Sequence, residues 1–115
     1  MTVGDIQRLT GAKLLTPDVD LSVPVTCCYA GDLLSLVMAA GEPGMAWVTV
    51  QTHMNVIAVA SNLEMPVVII SEGIQMEQAS ADKAAQEGIA VLSSDKTSFE
   101  ISGILYAAGL TARPA

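Results

Sequence analysis

Five short apolar runs recur along the chain. A polar loop follows the first run, and segments with helical spacing separate the others. The five runs lie at residues 12–15, 23–30, 45–51, 66–71 and 89–94. A strand that is apolar throughout is covered on both faces, and strands that alternate with helices form parallel sheets. The pattern therefore predicts an α/β fold, in which residues 1–115 form a single domain with a mostly parallel five-stranded sheet and helices on both faces.

The helices between these runs are predicted from their end signals. They cover residues 3–9, 33–40, 55–63 and 77–87, and a fifth helix follows Thr97. Thr97 and Glu100 have the spacing of a capping box, and Asp32 stands at the N-cap position of the second helix. Four helices end at a glycine, and these glycines are Gly11, Gly41, Gly88 and Gly109.

The charge of the chain bears on its partners. Five Lys and Arg residues stand against twelve Asp and Glu residues, so the formal net charge is −7. Binding to nucleic acid or to an anionic membrane needs clustered basic residues, and the sequence has no such stripe. The start of the chain also lacks the pattern of a signal peptide. We expect a cytoplasmic protein with no nucleic-acid partner and no membrane partner.

The potential metal ligands are few. Cys27 and Cys28 are adjacent in a predicted strand, and His53 is the only histidine. A zinc site needs about four such ligands, usually with a paired CxxC spacing. We interpret the cysteines as small buried apolar residues, and we predict no metal and no cofactor.

The helix at residues 33–40 is apolar on nearly every side, and the helix at 55–63 is almost as apolar. A helix without a polar face is covered all round. A second copy of the chain or another part of the same chain can provide that cover, and we favour a homodimer. The side chains predicted to form its interface are Leu33, Leu34, Val37, Met38, Val56 and Val59.

Polar residues follow the predicted strands at the positions where α/β proteins bind ligands. Hydroxyl, amide and imidazole groups of this kind suit a small anion. The residues predicted to bind it are Gln51, Thr52, His53, Asn55, Ser71, Gly73, Ser93 and Thr97. The alternative is that they cap helices and form turns, as such junctions require. A lone histidine with no acidic residue in its own turn does not indicate catalysis, so we assign no catalytic residue.

Residues 46–110 contain sequence landmarks of a known family. Landmarks are the segment Gly-Ile-Ala-Val-Leu-Ser that begins at Gly88, then Asp95 and the segment Thr97-Ser98-Phe99. In these features the chain resembles the DRTGG domain family, and more distantly the amino-terminal domain of HPr kinase/phosphorylase. Many relatives have Gly-Asp-Arg and an acidic residue where this chain has Gln51 to Asn55.

The resemblance implies a stand-alone regulatory or dimerising module of α/β fold. The chain has no GxxxxGK[ST] motif to hold phosphates, so it is not a kinase by itself. We expect a non-catalytic module that acts on a partner protein, with a role in carbon or redox metabolism. The alternative is a sensor of an anionic metabolite or nucleotide around His53, and a hydrolase or phosphotransferase is the third possibility.

Overall fold

A computed structural model describes residues 1–114 of the chain. These residues form five strands and five helices, and strands and helices alternate from β2 onward. In chain order they are α1 (Val3–Thr10), β1 (Lys13–Leu14), β2 (Cys27–Ala30), α2 (Leu34–Ala40), β3 (Met45–Thr49), α3 (Met54–Asn62), β4 (Val67–Ile70), α4 (Gln78–Gln86), β5 (Ala90–Ser93) and α5 (Ser98–Ala107).

The strands form one sheet in the order β1-β5-β4-β3-β2. β2, β3, β4 and β5 are parallel to one another, and the two-residue β1 runs antiparallel beside β5. The prediction of a mostly parallel five-stranded α/β sheet is confirmed. The antiparallel direction of β1 was not part of that prediction, and it places Lys13 next to Ser93.

Two apolar cores lie on opposite faces of the sheet, and the same strands supply both. In β4, Val67 and Ile69 face the core that α1 and α5 complete, whereas Val68 and Ile70 face the core of α2, α3 and α4. Trp47 is fully buried in the second core. Its indole Nε1 donates to the Gly31 carbonyl at 2.8 Å, so the one polar atom of this large ring has a partner.

The start of α1 shows how the helices begin. Thr2 and Asp5 form a reciprocal capping box, and the helix ends at Gly11 with a left-handed φ of 67°. Hydrogen bonds from the Thr2 backbone and from the side chains of Arg8 and Thr2 lower the pKa of Asp5 to about 2. The helix predicted over residues 3–9 is confirmed, and in the structure it extends one residue further, to Thr10.

α2 is less buried than its sequence predicts. Only Val37 is fully buried in this helix, and the flanking Leu33, together with Leu36 and Met38, is more than half exposed. The alternative of a helix enclosed within the monomer is therefore wrong. The helix is short and follows β2, an edge strand of the sheet, and its main neighbour among the helices is α3.

The predicted interface residues divide into three pairs. Val37 and Val56 are buried in the domain's own core, so in this fold they cannot contact a second copy. Leu34 and Val59 pack against that core and are half-buried, while Leu33 and Met38 are exposed. An interface on these helices would use Leu33 and Met38, and the sequence did not single out the equally exposed Leu36.

Cys27 is buried and Cys28 is half-buried, and both are free thiols. Burial raises the pKa of both thiols, that of Cys28 to about 12, which keeps it in the less reactive protonated form. None of the helices in the described residues is long and apolar enough to span a bilayer.

Candidate functional site

The carboxyl ends of the four parallel strands lie along one edge of the sheet. Ala30 pairs with Val48, Thr49 with Ile70, and Ile70 with Ser93, so the residues that follow these strands share that edge. The predicted gathering of polar groups therefore has the required strand geometry. Their individual contacts separate those that hold the fold from those left open to a ligand.

At the β2 and β3 end, a carboxylate joins two strands. Asp32 Oδ1 accepts from Thr49 Oγ1 at 2.8 Å and from the Val50 N–H at 2.9 Å. Gln51 Nε2 donates to the Asp32 carbonyl at 3.1 Å. The predicted N-cap role of Asp32 is wrong, because α2 begins after Leu33 and has no side-chain cap. Asp32 instead satisfies the buried Thr49 hydroxyl.

His53 is the N-cap of α3. Its Nδ1 accepts from the Asn55 N–H at 3.2 Å, and both side chains are exposed at the helix start. Thr52, which precedes His53, is half-buried. The histidine has a structural contact that accounts for its position, and the geometry favours the capping alternative over a ligand contact.

At the β4 and β5 end, two further predicted ligand residues are already bonded. Ser71 is buried, and its hydroxyl is hydrogen-bonded to that of Ser98 at 2.5 Å. Thr97 and Glu100 form the predicted capping box of α5, whose hydrogen bonds lower the pKa of Glu100. Glu72 also accepts from the Ser98 N–H at 3.1 Å, so residues at the end of β4 help to hold the start of this helix.

A cleft lies where β5 ends against β1. It consists of two cavities of about 300 and 310 Å³ that share Lys13, Ser93 and Asp95. The first cavity is also lined by Gly11, Ser94 and Lys96, and the second by Leu15, Gly73, Gln75 and Met76. We call this pair of cavities the β1–β5 cleft.

The charged groups of the cleft differ in how they are held. Lys96 Nζ donates to the Thr10 carbonyl at the end of α1, at 3.0 Å. Within residues 1–114, the side chains of Lys13 and Asp95 make no hydrogen bond and no ion pair. One cation and one carboxylate are thus available to a molecule in the cleft.

The cleft contains two of the eight predicted ligand residues, Gly73 and Ser93. The other six do not line it, and they are Gln51, Thr52, His53, Asn55, Ser71 and Thr97. Lys13, Gln75 and Lys96 line the cleft but were not predicted. No local pattern in the sequence indicates Lys13, because its place in the cleft depends on the pairing of β1 with β5.

The described residues contain no group of three or more His, Cys, Asp or Glu side chains able to hold a metal ion. The cleft itself offers one carboxylate, hydroxyls and two ammonium groups, a set that suits hydrogen-bonding ligands with an anionic group.

Comparison with known proteins shows the fold. No family model matches the sequence, and no curated protein is significantly similar to it. The fold is similar to part of a crystal structure of the CBS and DRTGG domains from the regulatory region of Clostridium perfringens pyrophosphatase, complexed with its activator diadenosine tetraphosphate. The TM-score is 0.76 at 13% identity, over 98% of this chain and 47% of that chain. This chain thus spans about half the length of that relative.

Proposed function

We propose that the chain is a cytoplasmic, non-catalytic regulatory module of DRTGG type that forms a homodimer and acts on a partner protein. The exposed apolar surface of α2 carries the proposal. Leu33 and Leu36 are 60% and 53% exposed, and Met38 is 60% exposed. Water around so much apolar surface is unfavourable, and a patch of this kind on a soluble domain usually marks an interaction site.

The arrangement of the patch favours a second copy of the chain as its occupant. Leu33, Leu36 and Ala40 have the spacing i, i+3 and i+7, so these exposed residues form one stripe along the helix, and Met38 lies on another side. Residues 33–40 carry no charge, whereas the whole chain has a net charge of −7. Two copies related by a twofold axis can bury this uncharged stripe while their acidic surfaces stay in water.

The similarity in fold supports a regulatory role rather than a catalytic one. The similar structure is a regulatory region in complex with an activator. In this chain the imidazole Nδ1 of His53 is engaged as a helix cap.

Light scattering on the purified chain tests the dimer. We expect a mass of twice 11.9 kDa at micromolar concentration. Leu36→Glu should give the monomer mass, because it places a charge in the centre of the stripe. Phe99→Glu is the matched control, since Phe99 is an 86% exposed apolar side chain on another helix. A wild-type monomer, or equal effects of both variants, contradicts the proposal.

A second candidate function is a sensor of an anionic metabolite or nucleotide, and the β1–β5 cleft favours it. The free Lys13 ammonium lies at the carboxyl edge of the sheet, where ligands of α/β proteins bind. A thermal-shift screen with nucleotides and phosphorylated metabolites tests this function, since a ligand at 100 times its Kd adds about 2.7 kcal/mol of stability. No shift with any of them contradicts the sensor.

A further inference from the structure

The β1–β5 cleft concentrates positive charge in an acidic chain. Lys13 and Lys96 are two of only five basic residues, and both line the first cavity. Lys96 is tied to the Thr10 carbonyl at 3.0 Å, which fixes its ammonium beside the cleft. Lys13 has no partner among residues 1–114, so its charge is free to pair with an anion.

Asp95 determines which anion fits. Its carboxylate lines both cavities next to Lys13, so it repels a bare phosphate and accepts hydrogen bonds from hydroxyl groups. Gly73 keeps this carboxylate accessible. A Cβ at Gly73 would lie 3.1 Å from Asp95 Oδ1, and its φ of +68° also favours glycine.

We infer that the β1–β5 cleft binds a small phosphorylated polyol, with the phosphate at Lys13 and Ser93 and the hydroxyl groups at Asp95. This inference deepens the sensor function and rests on it. The two adjoining cavities of about 300 and 310 Å³ are large enough for such a ligand. The site lies at the β5 end of the sheet edge rather than around His53.

Calorimetric titration with three probes tests the chemistry of the site. The probes are ribose 5-phosphate, inorganic phosphate and ribose. We expect ribose 5-phosphate to bind more tightly than inorganic phosphate, because only the former can donate from sugar hydroxyl groups to Asp95 while its phosphate lies at Lys13. We expect ribose to show no measurable binding. Absence of ribose 5-phosphate binding overturns this inference. The sensor function itself fails only if the wider nucleotide and metabolite screen also gives no shift.

Two variants locate the site. Lys13→Met should weaken ribose 5-phosphate binding about tenfold or more, the usual loss when a charge-assisted hydrogen bond is removed. Lys83→Met is the matched control, because Lys83 is an exposed lysine on α4 that pairs with Glu87, and it should leave the affinity unchanged. If ribose 5-phosphate binds and Lys13→Met has no effect, the proposed position is wrong while the sensor function stands.

Asp95→Asn should change the affinity for phosphate in the opposite direction to Lys13→Met. Removing the negative charge should strengthen binding of inorganic phosphate and reduce the advantage of ribose 5-phosphate over it. A general loss of folding cannot produce this pattern, because it would weaken both probes together. An unchanged ratio of the two affinities overturns the role given to Asp95.

Discussion

Asp32 is an exposed carboxylate whose main effect is on a buried group. It accepts from Thr49 Oγ1, which is fully buried, and from the Val50 N–H, and so ties the end of β2 to the end of β3. We predict that Asp32→Ala lowers the free energy of unfolding by about 1–3 kcal/mol, because the buried hydroxyl loses its acceptor. Urea unfolding measures the change.

Asp18→Ala is the control for this substitution. Asp18 is exposed in the loop before β2 and accepts no hydrogen bond among the described residues. Its removal should change the stability by less than about 0.5 kcal/mol. Equal effects of Asp18→Ala and Asp32→Ala would mean that net charge, rather than the Thr49 contact, determines the loss.

At the residue scale, the sequence predicted that polar residues follow the strands at one edge of the sheet. It did not predict their hydrogen-bond partners. His53 and Ser71 occupy the predicted edge, and each is bonded within the fold. Whether a polar group binds a neighbour or faces a cavity depends on contacts between distant elements. Ser71 and Ser98, for example, are 27 residues apart in sequence.

The start of α5 is the element whose local sequence was most informative. The Glu100 N–H donates to Thr97 Oγ1 at 3.1 Å, and the Thr97 N–H donates to Glu100 Oε1 at 3.1 Å. Thr97→Ala should lower the free energy of unfolding by about 1 kcal/mol, whereas Thr97→Ser should keep most of it because the hydroxyl remains. Thermal unfolding of both variants checks this, and equal losses would contradict the cap as the cause.

Elements were predictable where the signal is local. Caps, glycines at helix ends and continuous apolar runs depend on neighbouring residues, and they located all ten elements, although the predicted β2 was longer than Cys27–Ala30. The surroundings of α2 were not predictable in this way. An apolar helix indicates that something covers it, but its sequence does not say whether the cover belongs to the same chain.

At the scale of the whole molecule, the order of the strands in the sheet could not be predicted from the sequence. A two-residue strand such as β1 has no periodicity from which to read a direction, and its pairing with β5 joins residues about 80 positions apart. The β1–β5 cleft exists because of that pairing, since Lys13 comes to the ligand edge only through its place opposite Ser93. The site was missed for the same reason that the topology was not predicted.

The shared strands also connect the two cores, so the molecule should unfold as one unit. β4 supplies Ile69 to one core and Ile70 to the other, and neither core can lose this strand alone. Ile101 is fully buried on the α5 side, and Trp47 is on the opposite side. We predict that Ile101→Ala lowers the unfolding midpoint seen by Trp47 fluorescence, with a loss of about 2–5 kcal/mol.

Urea unfolding followed by both fluorescence and far-ultraviolet circular dichroism gives the measurement. The two probes should give the same midpoint in the wild type and in Ile101→Ala, as expected of two-state unfolding. Tyr106→Ala serves as the control, because Tyr106 lies on the same helix and is 75% exposed. If Ile101→Ala shifts the circular dichroism but leaves the Trp47 signal in place, the two faces unfold separately and the sheet does not couple them.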